Sequence, residues 1–411
     1  MKLWAIITAV TAAACFAGCD GRTPKSDVRD TLAVARDTTP PFDPGPIDRY
    51  WNDLARLLAG LAPDSGSVLS AQDSSPAAEG HRRFFESAWQ NKTQSFIAPL
   101  SEWAETEIAH ERKTAQTVLY PFSGADALTI HTLFPDAPRY ILFGLEPEGN
   151  PPPISALSLA ALPVHLRNLQ VALDDILVLS YFKTIDMQTD FRRGELNGVL
   201  PVLLAFLARR GNRILWVERG RISPEGLFDT TGVKSVVMNP DDTLVTGLRI
   251  RFQPQNQKNK VQDLFYFSVN VDNGRIPQAF RRLLAKHDPV FTYIKSASYL
   301  MYYPSFSIIR THLLDYSRFV LQEDSGMPLS SFDRNVWDLK FYGAYTRPIP
   351  LFANRFQPEL YKIYQTDTTI KPLKFGIGYN HIPGTSNLMA ARKKNDELRH
   401  DPERRASQTI D

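Results

Sequence analysis

The amino-acid sequence predicts a layered α/β fold, preceded by helices and followed by a C-terminal α+β extension. Two observations predict the sheet. Residues 117–147 have the pattern of a strand, a helix and a second strand, and helical and strand-like segments keep alternating after them. Two more strand-like segments, at 247–254 and 262–270, are joined by a short polar link that favours an antiparallel hairpin. Alternating elements followed by a hairpin are typical of a sheet covered by helices.

The composition is that of a globular protein. The chain has 411 residues, of which 43% are hydrophobic and 22% charged, so it can form one large domain or two to three ordinary ones. The 47 basic and 44 acidic side chains give a formal net charge of +3. Such a small net charge produces no strong overall field toward nucleic acid or an acidic membrane. We therefore expect no nucleic-acid partner.

The first 18 residues have the pattern of an export signal peptide. Lys2 is followed by a run of apolar and small residues that is too short for a stable membrane span. The four residues from Phe16 to Cys19, FAGC, resemble the lipobox of bacterial lipoprotein precursors, although that family usually has leucine in place of Phe16. The resemblance implies that Cys19 receives a lipid and becomes the new N-terminus. The alternative is an ordinary signal peptide that is cleaved near this point.

Lipidation would anchor the protein in the bacterial cell envelope, with the inner and the outer membrane both left open. Cysteine usage agrees with this, because Cys15 and Cys19 are the only cysteines and the mature chain could form no internal disulfide. Residues 19–46 are rich in Asp, Thr and Pro and have no apolar period. They predict a flexible tether between the lipid and the folded part.

The remaining chain divides by composition. Two amphipathic helical patterns predict an N-terminal helical region over 47–117, and the α/β core is expected over 118–275. An aromatic-rich α+β extension is expected over 276–382. From 383 to 411 the residues are mostly polar and charged. We expect that part to be a disordered tail.

The candidate ligand site lies in the first strand, helix and strand of the core. Ser123 and Gly124 follow the first strand, Asp126 stands at the start of the helix, and Glu146 ends the second strand. This layout resembles the first βαβ unit of a Rossmann-like domain, and the core resembles the first half of methyltransferases of the S-adenosylmethionine class. In cofactor-binding versions the glycine turn approaches the ligand and the acid binds ribose hydroxyls. The resemblance implies these four residues as ligand-binding candidates, with Glu146 partly exposed.

Other chemistry has weaker support. A single glycine in FSGAD stands where a nucleotide fingerprint has two or three, so we expect no cofactor. Ser123 follows a strand but lacks the G-x-S-x-G motif of a hydrolase nucleophile.

The eight histidines show no metal-ligand spacing, which predicts no metal site, and His131 is interpreted as a packed or surface residue. Lys295 would be buried with a lowered pKa or would reach solvent. Residues 322–325 are interpreted as a turn with capping groups.

These features favour a lipid-anchored envelope protein that binds a small molecule or another envelope protein without catalysis. The stretch from Tyr120 to Gly149 is also similar to bacterial lipoproteins of unassigned function. The alternative is an envelope enzyme, either a degenerate S-adenosylmethionine methyltransferase relative or a hydrolase. An open crevice lined by Ser123, Asp126 and Glu146 would favour the enzyme. A crevice filled by side chains would favour the binding protein.

Overall fold

The computed structural model describes residues 48–179, 198–230, 245–257, 259–287 and 290–394; at 172 and 174–179 it describes the helix but not the side chains. All of these residues belong to one compact unit, 44–411. The predicted signal peptide, Cys19 and the predicted tether lie outside the described residues. Among the described helices, none is both long and apolar enough to cross a membrane.

The helices are numbered in chain order. They are α1 Arg49–Leu58, α2 Ser70–Asp73, α3 Pro76–Lys92, α4 Ala98–Glu107, α5 Ala109–Thr114, α6 Ala127–Leu133, α7 Leu162–Leu179, α8 Leu200–Arg209, α9 Gln278–Ala285, α10 Ser307–Tyr316 and α11 Pro358–Thr366. A π-helical segment, Thr93–Ile97, connects α3 to α4. The first five helices, α1 to α5, lie within 49–114.

The strands form one ten-stranded mixed sheet. They are β1 Thr117–Pro121, β2 Arg139–Gly144, β3 Asn212–Ile222, β4 Phe228–Asp229, β5 Thr246–Pro254, β6 Gln262–Ser268, β7 Val290–Ile294, β8 Ser317–Gln322, β9 Trp337–Gly343 and β10 Asn387–Lys393. Their spatial order is β4-β3-β5-β6-β2-β1-β7-β8-β10-β9. The predicted mixed α/β class is confirmed, and so is the antiparallel pairing of β5 with β6.

Five neighbouring strands at the centre, β6, β2, β1, β7 and β8, are parallel. Their carboxyl ends therefore meet at one edge of the sheet, which we call the carboxyl edge. β10 is antiparallel to both β8 and β9, so β10 begins at the carboxyl edge and β9 ends there. The turns that follow the central strands are thus brought together although they are far apart in sequence.

The sheet is covered on both faces. One core contains apolar side chains of α1, α3, α4, α6 and α8, and the other contains those of α9, α10 and α11. Every residue of β1 and of β7 is buried. A parallel strand that is buried on both faces needs a nearly continuous apolar run, and the sequences TVLYP and VFTYI provide it.

The C-terminal part extends the same sheet and differs from the prediction at one point. Strands of the expected extension join the core directly, because β7 pairs with β1 and β8 pairs with β7. The expectation of a disordered tail from residue 383 is wrong for 387–393, which form β10 inside the sheet. This strand is short and rich in small residues: Leu388 packs into one core and Met389 into the other. The charged residues that follow it hide this pattern in the sequence.

Candidate functional site at the carboxyl edge

The turns after β1 and β7 lie side by side at the carboxyl edge. The chain leaves β1 toward β2 on one side, whereas β7 lies on the other side of β1, so the strand order reverses at this point. Ligands of open α/β sheets bind beyond the carboxyl ends of the strands where such a reversal occurs. The side chains at this point are therefore the first place to look for a site.

Asp126 is the centre of the first group of side chains. As the N-cap of α6, it accepts a hydrogen bond from the Thr129 backbone N–H at 2.9 Å, and the Tyr120 hydroxyl donates to its Oδ2 at 2.9 Å. The Lys295 ammonium, which follows β7, forms an ion pair with the same oxygen. Each side chain of this pair is only 2% exposed. An ion pair this deeply buried is strongly destabilising when one partner is removed.

The electrostatics of Asp126 follow from these contacts. Burial alone would raise the pKa of its carboxyl group, because the charged form loses its hydration. The Lys295 charge and the hydrogen bonds from Lys295 and Thr129 outweigh burial and hold the pKa of Asp126 below its ordinary value. The carboxylate is therefore ionised at neutral pH. Its hydrogen-bonding positions and its charge are already paired with groups of the chain itself.

Lys92 adds a second buried amine to this group. It ends α3, and its ammonium lies 4.4 Å from the centre of the Phe96 ring in the π-helical segment that follows. Burial lowers the pKa of Lys92 to about 7, with a further contribution from the nearby Lys295 charge. π-Helical turns inserted between α-helices are frequent at functional sites. Here the π-helical turn follows Lys92 directly and places the Phe96 ring beside its ammonium.

The backbone is strained at the same place. Among the described residues other than glycine, positive φ angles occur at Phe122 (57°), Ser296 (52°), Ser298 (52°) and Tyr299 (53°). All four lie in the turns after β1 and β7. Such a conformation costs on the order of 1–3 kcal/mol at each residue and persists only where the surroundings fix it. Strained turns of this kind cluster at functional sites.

The turn after β8 fixes the strained turn after β7. The Ser296 backbone N–H donates to Glu323 Oε1 at 2.8 Å, and the Ala297 backbone N–H donates to Ser325 Oγ at 2.9 Å. The Tyr299 hydroxyl donates to Asp324 Oδ2. Residues 322–325 were interpreted as a turn with capping groups, and their side chains also hold the neighbouring turn in place.

Glu323 and Asp324 are two adjacent buried acids. Burial, together with the neighbouring Asp324, raises the pKa of Glu323 to about 8, so Glu323 carries a proton at neutral pH. Burial also raises the pKa of Asp324, which accepts a hydrogen bond from Asn387 Nδ2 at 2.8 Å. Gly378 packs against this acid pair with φ +68°: a Cβ atom there would lie 2.7 Å from Glu323 Cγ. The close approach requires glycine.

Tyr293 lies between the two groups. Its ring centre is 4.8 Å from that of Tyr120, and its hydroxyl is buried without a hydrogen-bond partner in the described part of the chain. Burial and the nearby Asp126 and Glu323 raise the pKa of Tyr293 well above its ordinary value. A buried hydroxyl without a partner costs free energy. Tyr293 therefore lies close both to Asp126 and its partners and to the acid pair Glu323 and Asp324.

Glu146 and Glu148 lie on the opposite side of β1, after β2. The Tyr266 hydroxyl donates to the Glu146 backbone oxygen at 2.9 Å, and the Thr246 hydroxyl donates to Glu148 Oε1 at 2.8 Å. Glu146 is only 4% exposed, so the expectation of a partly exposed carboxylate is wrong. A Cβ atom at Gly144 would lie 2.5 Å from Glu146 Oε2, so the carboxylate packs against the end of its own strand.

The four predicted ligand-binding residues are brought to one edge, but all are buried. A Cβ atom at Gly144 would lie 3.6 Å from the Gly124 nitrogen, which places Glu146 beside the first turn. The Ser123 hydroxyl donates to the Gly124 backbone oxygen at 3.1 Å. Sequence reasoning missed Lys92 and Tyr293, because a lysine in a helical pattern and a tyrosine in a strand have no feature that separates them from framework residues.

A small cleft opens beside the acid pair. It is lined by Gln322, Glu323, Asp324, Met327, Leu329, Gln357, Leu360, Tyr364, Asn387 and Met389. Its enclosed part has room for about one water molecule. A nucleotide-sized ligand does not fit this cleft without movement of the surrounding side chains.

The other predicted features can be placed as well. His131 is buried between Tyr140 and Phe252, and burial lowers its pKa to about 3, which agrees with its interpretation as a packed residue. No group of three His, Cys, Asp or Glu side chains that could hold a metal ion is found in the described part of the chain. No known family model, no curated protein and no solved structure matches this chain.

Proposed function

We propose that this protein is a lipid-anchored component of the bacterial cell envelope that binds a small molecule or another envelope protein without catalysis. Its core would be Rossmann-like. The order of the parallel strands supports that assignment: numbered along the chain, they lie third, second, first, fourth and fifth across the sheet, which is the order of a Rossmann core.

The ion pair between Asp126 and Lys295 carries the proposal. A cofactor-binding Rossmann core needs an accessible backbone in the first βα turn and an acid that reaches the ribose. In this chain residues 123–126 are buried. Lys295 forms an ion pair with the carboxylate of Asp126, the N-cap of α6. An adenosyl cofactor would have to separate this pair and pay the cost of leaving a buried charge. The filled crevice therefore supports a binding protein rather than a methyltransferase.

A titration with S-adenosylmethionine tests the non-catalytic proposal. Melting temperatures of the wild type and of Glu146→Gln are measured with increasing cofactor. We expect no shift in either protein, because a ligand stabilises a fold only as far as it binds the folded state. A cofactor-dependent rise in the wild type that is lost in Glu146→Gln would contradict the proposal and support the enzyme. Mass spectrometry of small molecules retained by the purified protein would then identify the ligand class.

A second experiment tests the anchor. Cys19→Ser should release the protein from the membrane fraction, and the wild type should incorporate labelled fatty acid. If Cys19→Ser stays with the membrane and the wild type takes up no fatty acid, the protein is not a lipoprotein.

An enzyme is the second candidate, and a specific observation favours it. An amine with a pKa of about 7 at Lys92 and a carboxyl group with a pKa of about 8 at Glu323 lie near strained turns. Groups that titrate near neutral pH are suited to proton transfer and are frequent in active sites. The titration with S-adenosylmethionine distinguishes the binding protein from an enzyme of the methyltransferase type.

A further inference from the structure

The carboxyl edge also carries exposed apolar side chains, which we call the apolar rim: Tyr303, Leu351, Phe356 and Ile382. Leu351 is 78% exposed and Ile382 is 60% exposed, and both aromatic rings are exposed as well. Tyr303 follows β7, Leu351 and Phe356 follow β9, and Ile382 precedes β10. Three separate loops therefore present apolar groups at the same end of the sheet.

Side-chain contacts join these loops into one surface. The Arg355 guanidinium lies 4.0 Å from the centre of the Tyr303 ring. The Phe352 ring centre lies 5.0 Å from that of Tyr299 and 5.2 Å from that of Tyr379. The loop after β9 thus contacts both the loop after β7 and the loop before β10. Exposed apolar side chains that are grouped on neighbouring loops mark an interaction site more often than singly exposed ones do.

The charge around the apolar rim is positive. In the segment 344–367 the charged residues are Arg347, Arg355 and Lys362 against Glu359 and Asp367. The segments 300–306 and 376–386 add no acidic residue. The net charge of the whole chain is small, but charge close to a surface acts within about 8–10 Å. A partner with negative charge and an apolar interior fits this combination.

We propose that the apolar rim docks on the surface of a bilayer that contains anionic lipid. Aromatic and aliphatic side chains flanked by Arg and Lys are typical of segments that lie at the interface between headgroups and acyl chains. Anionic headgroups attract each nearby basic residue. Leu351 enters the acyl region, Tyr303 and Phe356 lie at the headgroup level, and Arg347 and Lys362 contact the headgroups.

Two other occupants fit less well. A second copy of this chain would bring the same positive surface against itself in a two-fold interface, which like charges disfavour. The chain's own residues 395–411 contain no aromatic residue and only three aliphatic ones, so they offer little apolar surface to cover the apolar rim. A lipid surface supplies both the apolar volume and the opposite charge.

The inference stands without the lipid anchor, but the two are compatible. If Cys19 is lipidated, residues 20–47 connect it to the first described residue, and 28 residues span at most about 100 Å. That reach allows the carboxyl edge to face the bilayer. The candidate site would then open toward the membrane surface.

Hydrogen exchange of the full-length protein tests the docking. Exchange of the peptide that covers 346–357 is followed with vesicles of phosphatidylcholine alone and with vesicles that also contain phosphatidylglycerol. We expect slower exchange with the anionic vesicles only. Leu351→Ser should reduce the protected fraction about tenfold, from the lost burial of one leucine, and Arg347→Glu should reduce it about fivefold or more.

Leu227→Ser is the matched control. Leu227 is also an exposed leucine, but it lies in the turn between β3 and β4, at the end of the strand order farthest from β9, so its replacement should leave the protection unchanged. Unchanged exchange on both kinds of vesicle would overturn the proposal, and equal protection on both would overturn the assignment to anionic lipid. Protection that rises with protein concentration without vesicles would show that a second copy covers the apolar rim. None of these outcomes depends on whether S-adenosylmethionine binds.

Discussion

Two clusters of ion pairs on the same sheet differ in the backbone that carries them. Lys295 and Asp126 meet in irregular turns at the carboxyl edge, beside residues with positive φ. In the other cluster, Arg249 and Arg251 of β5 share Asp263 of β6, with Nη2–Oδ2 and Nε–Oδ1 distances of 2.7 and 2.8 Å. Arg251 and Asp263 lie opposite each other in a regular antiparallel pair.

The second cluster forms without strain. The guanidinium groups of Arg249 and Arg251 lie 5.0 and 4.7 Å from the centre of the Trp216 ring, on a sheet face that is partly open to water. The charges are therefore both paired and partly hydrated. The first cluster has neither hydration nor regular backbone. The positive φ angles beside the first cluster cost stability, and such departures from local backbone preference are most frequent at functional sites.

The largest expected effect is the loss of one charge from the first cluster. Lys295→Met leaves the Asp126 carboxylate buried without its cation, so the free energy of unfolding should fall by about 3–5 kcal/mol. Arg249→Met is the matched change in the second cluster, where Asp263 keeps Arg251, and should cost about 1 kcal/mol or less. Urea unfolding measures both. Equal losses would remove the distinction between the clusters.

A double variant sharpens this result. Asp126→Asn keeps an N-cap for α6 while it removes the charge. In Asp126→Asn with Lys295→Met no charge of the pair remains, and most of the loss should be recovered. A double variant as unstable as Lys295→Met would show that packing, rather than charge, dominates at this position.

Gly378→Ala should have the next largest effect. Its Cβ atom would enter the space of Glu323, and its φ of +68° already disfavours a side chain. The strain of about 1–2 kcal/mol and the overpacking of about 1–3 kcal/mol should add. Gly66→Ala has φ +76° but open space around its Cβ, so it should show the strain alone. Thermal unfolding of the pair isolates the contact with Glu323.

The pH dependence of Glu323→Gln has a defined sign. The folded state keeps the Glu323 proton up to a pKa of about 8, whereas the unfolded chain releases it near the ordinary value of 4.5. Between these values the unfolded state binds fewer protons, so stability from this group decreases as pH rises from about 4.5 to 8. The glutamine variant should lack that decrease. The free energy of unfolding, measured from pH 5 to 8.5, should fall in the wild type relative to the glutamine variant. Parallel curves would refute the raised pKa of Glu323.

The smallest expected effect lies on the apolar rim. Leu351 is mostly in solvent, so Leu351→Ser should change the free energy of unfolding by less than about 0.5 kcal/mol. Urea unfolding of this variant checks that its effect on vesicle protection is local. A larger loss would mean that Leu351 packs in the folded protein.

Local patterns were enough to predict several elements of the fold. The amphipathic period predicts α1 and α3, the apolar run at 117–121 predicts β1, and the polar link predicts the β5–β6 hairpin. Asp126 was recognised as a helix start because an acid before an apolar helical pattern is a common N-cap. Each of these features depends on residues that are close together in the chain.

The sequence by itself determined the mixed α/β class and most of the helices and strands before β7, because side-chain periodicity is a property of neighbouring residues. Only the tertiary structure decided that Lys295 reaches Asp126, which lies 169 residues earlier, and that β10 enters the sheet beside β8. Parallel strands pair through long crossovers, so the turns that meet at the carboxyl edge carry no mark of each other in sequence. The burial of Glu146 and the raised pKa of Glu323 both result from the contact between these turns. The tertiary structure therefore determines the protonation and accessibility of the candidate site.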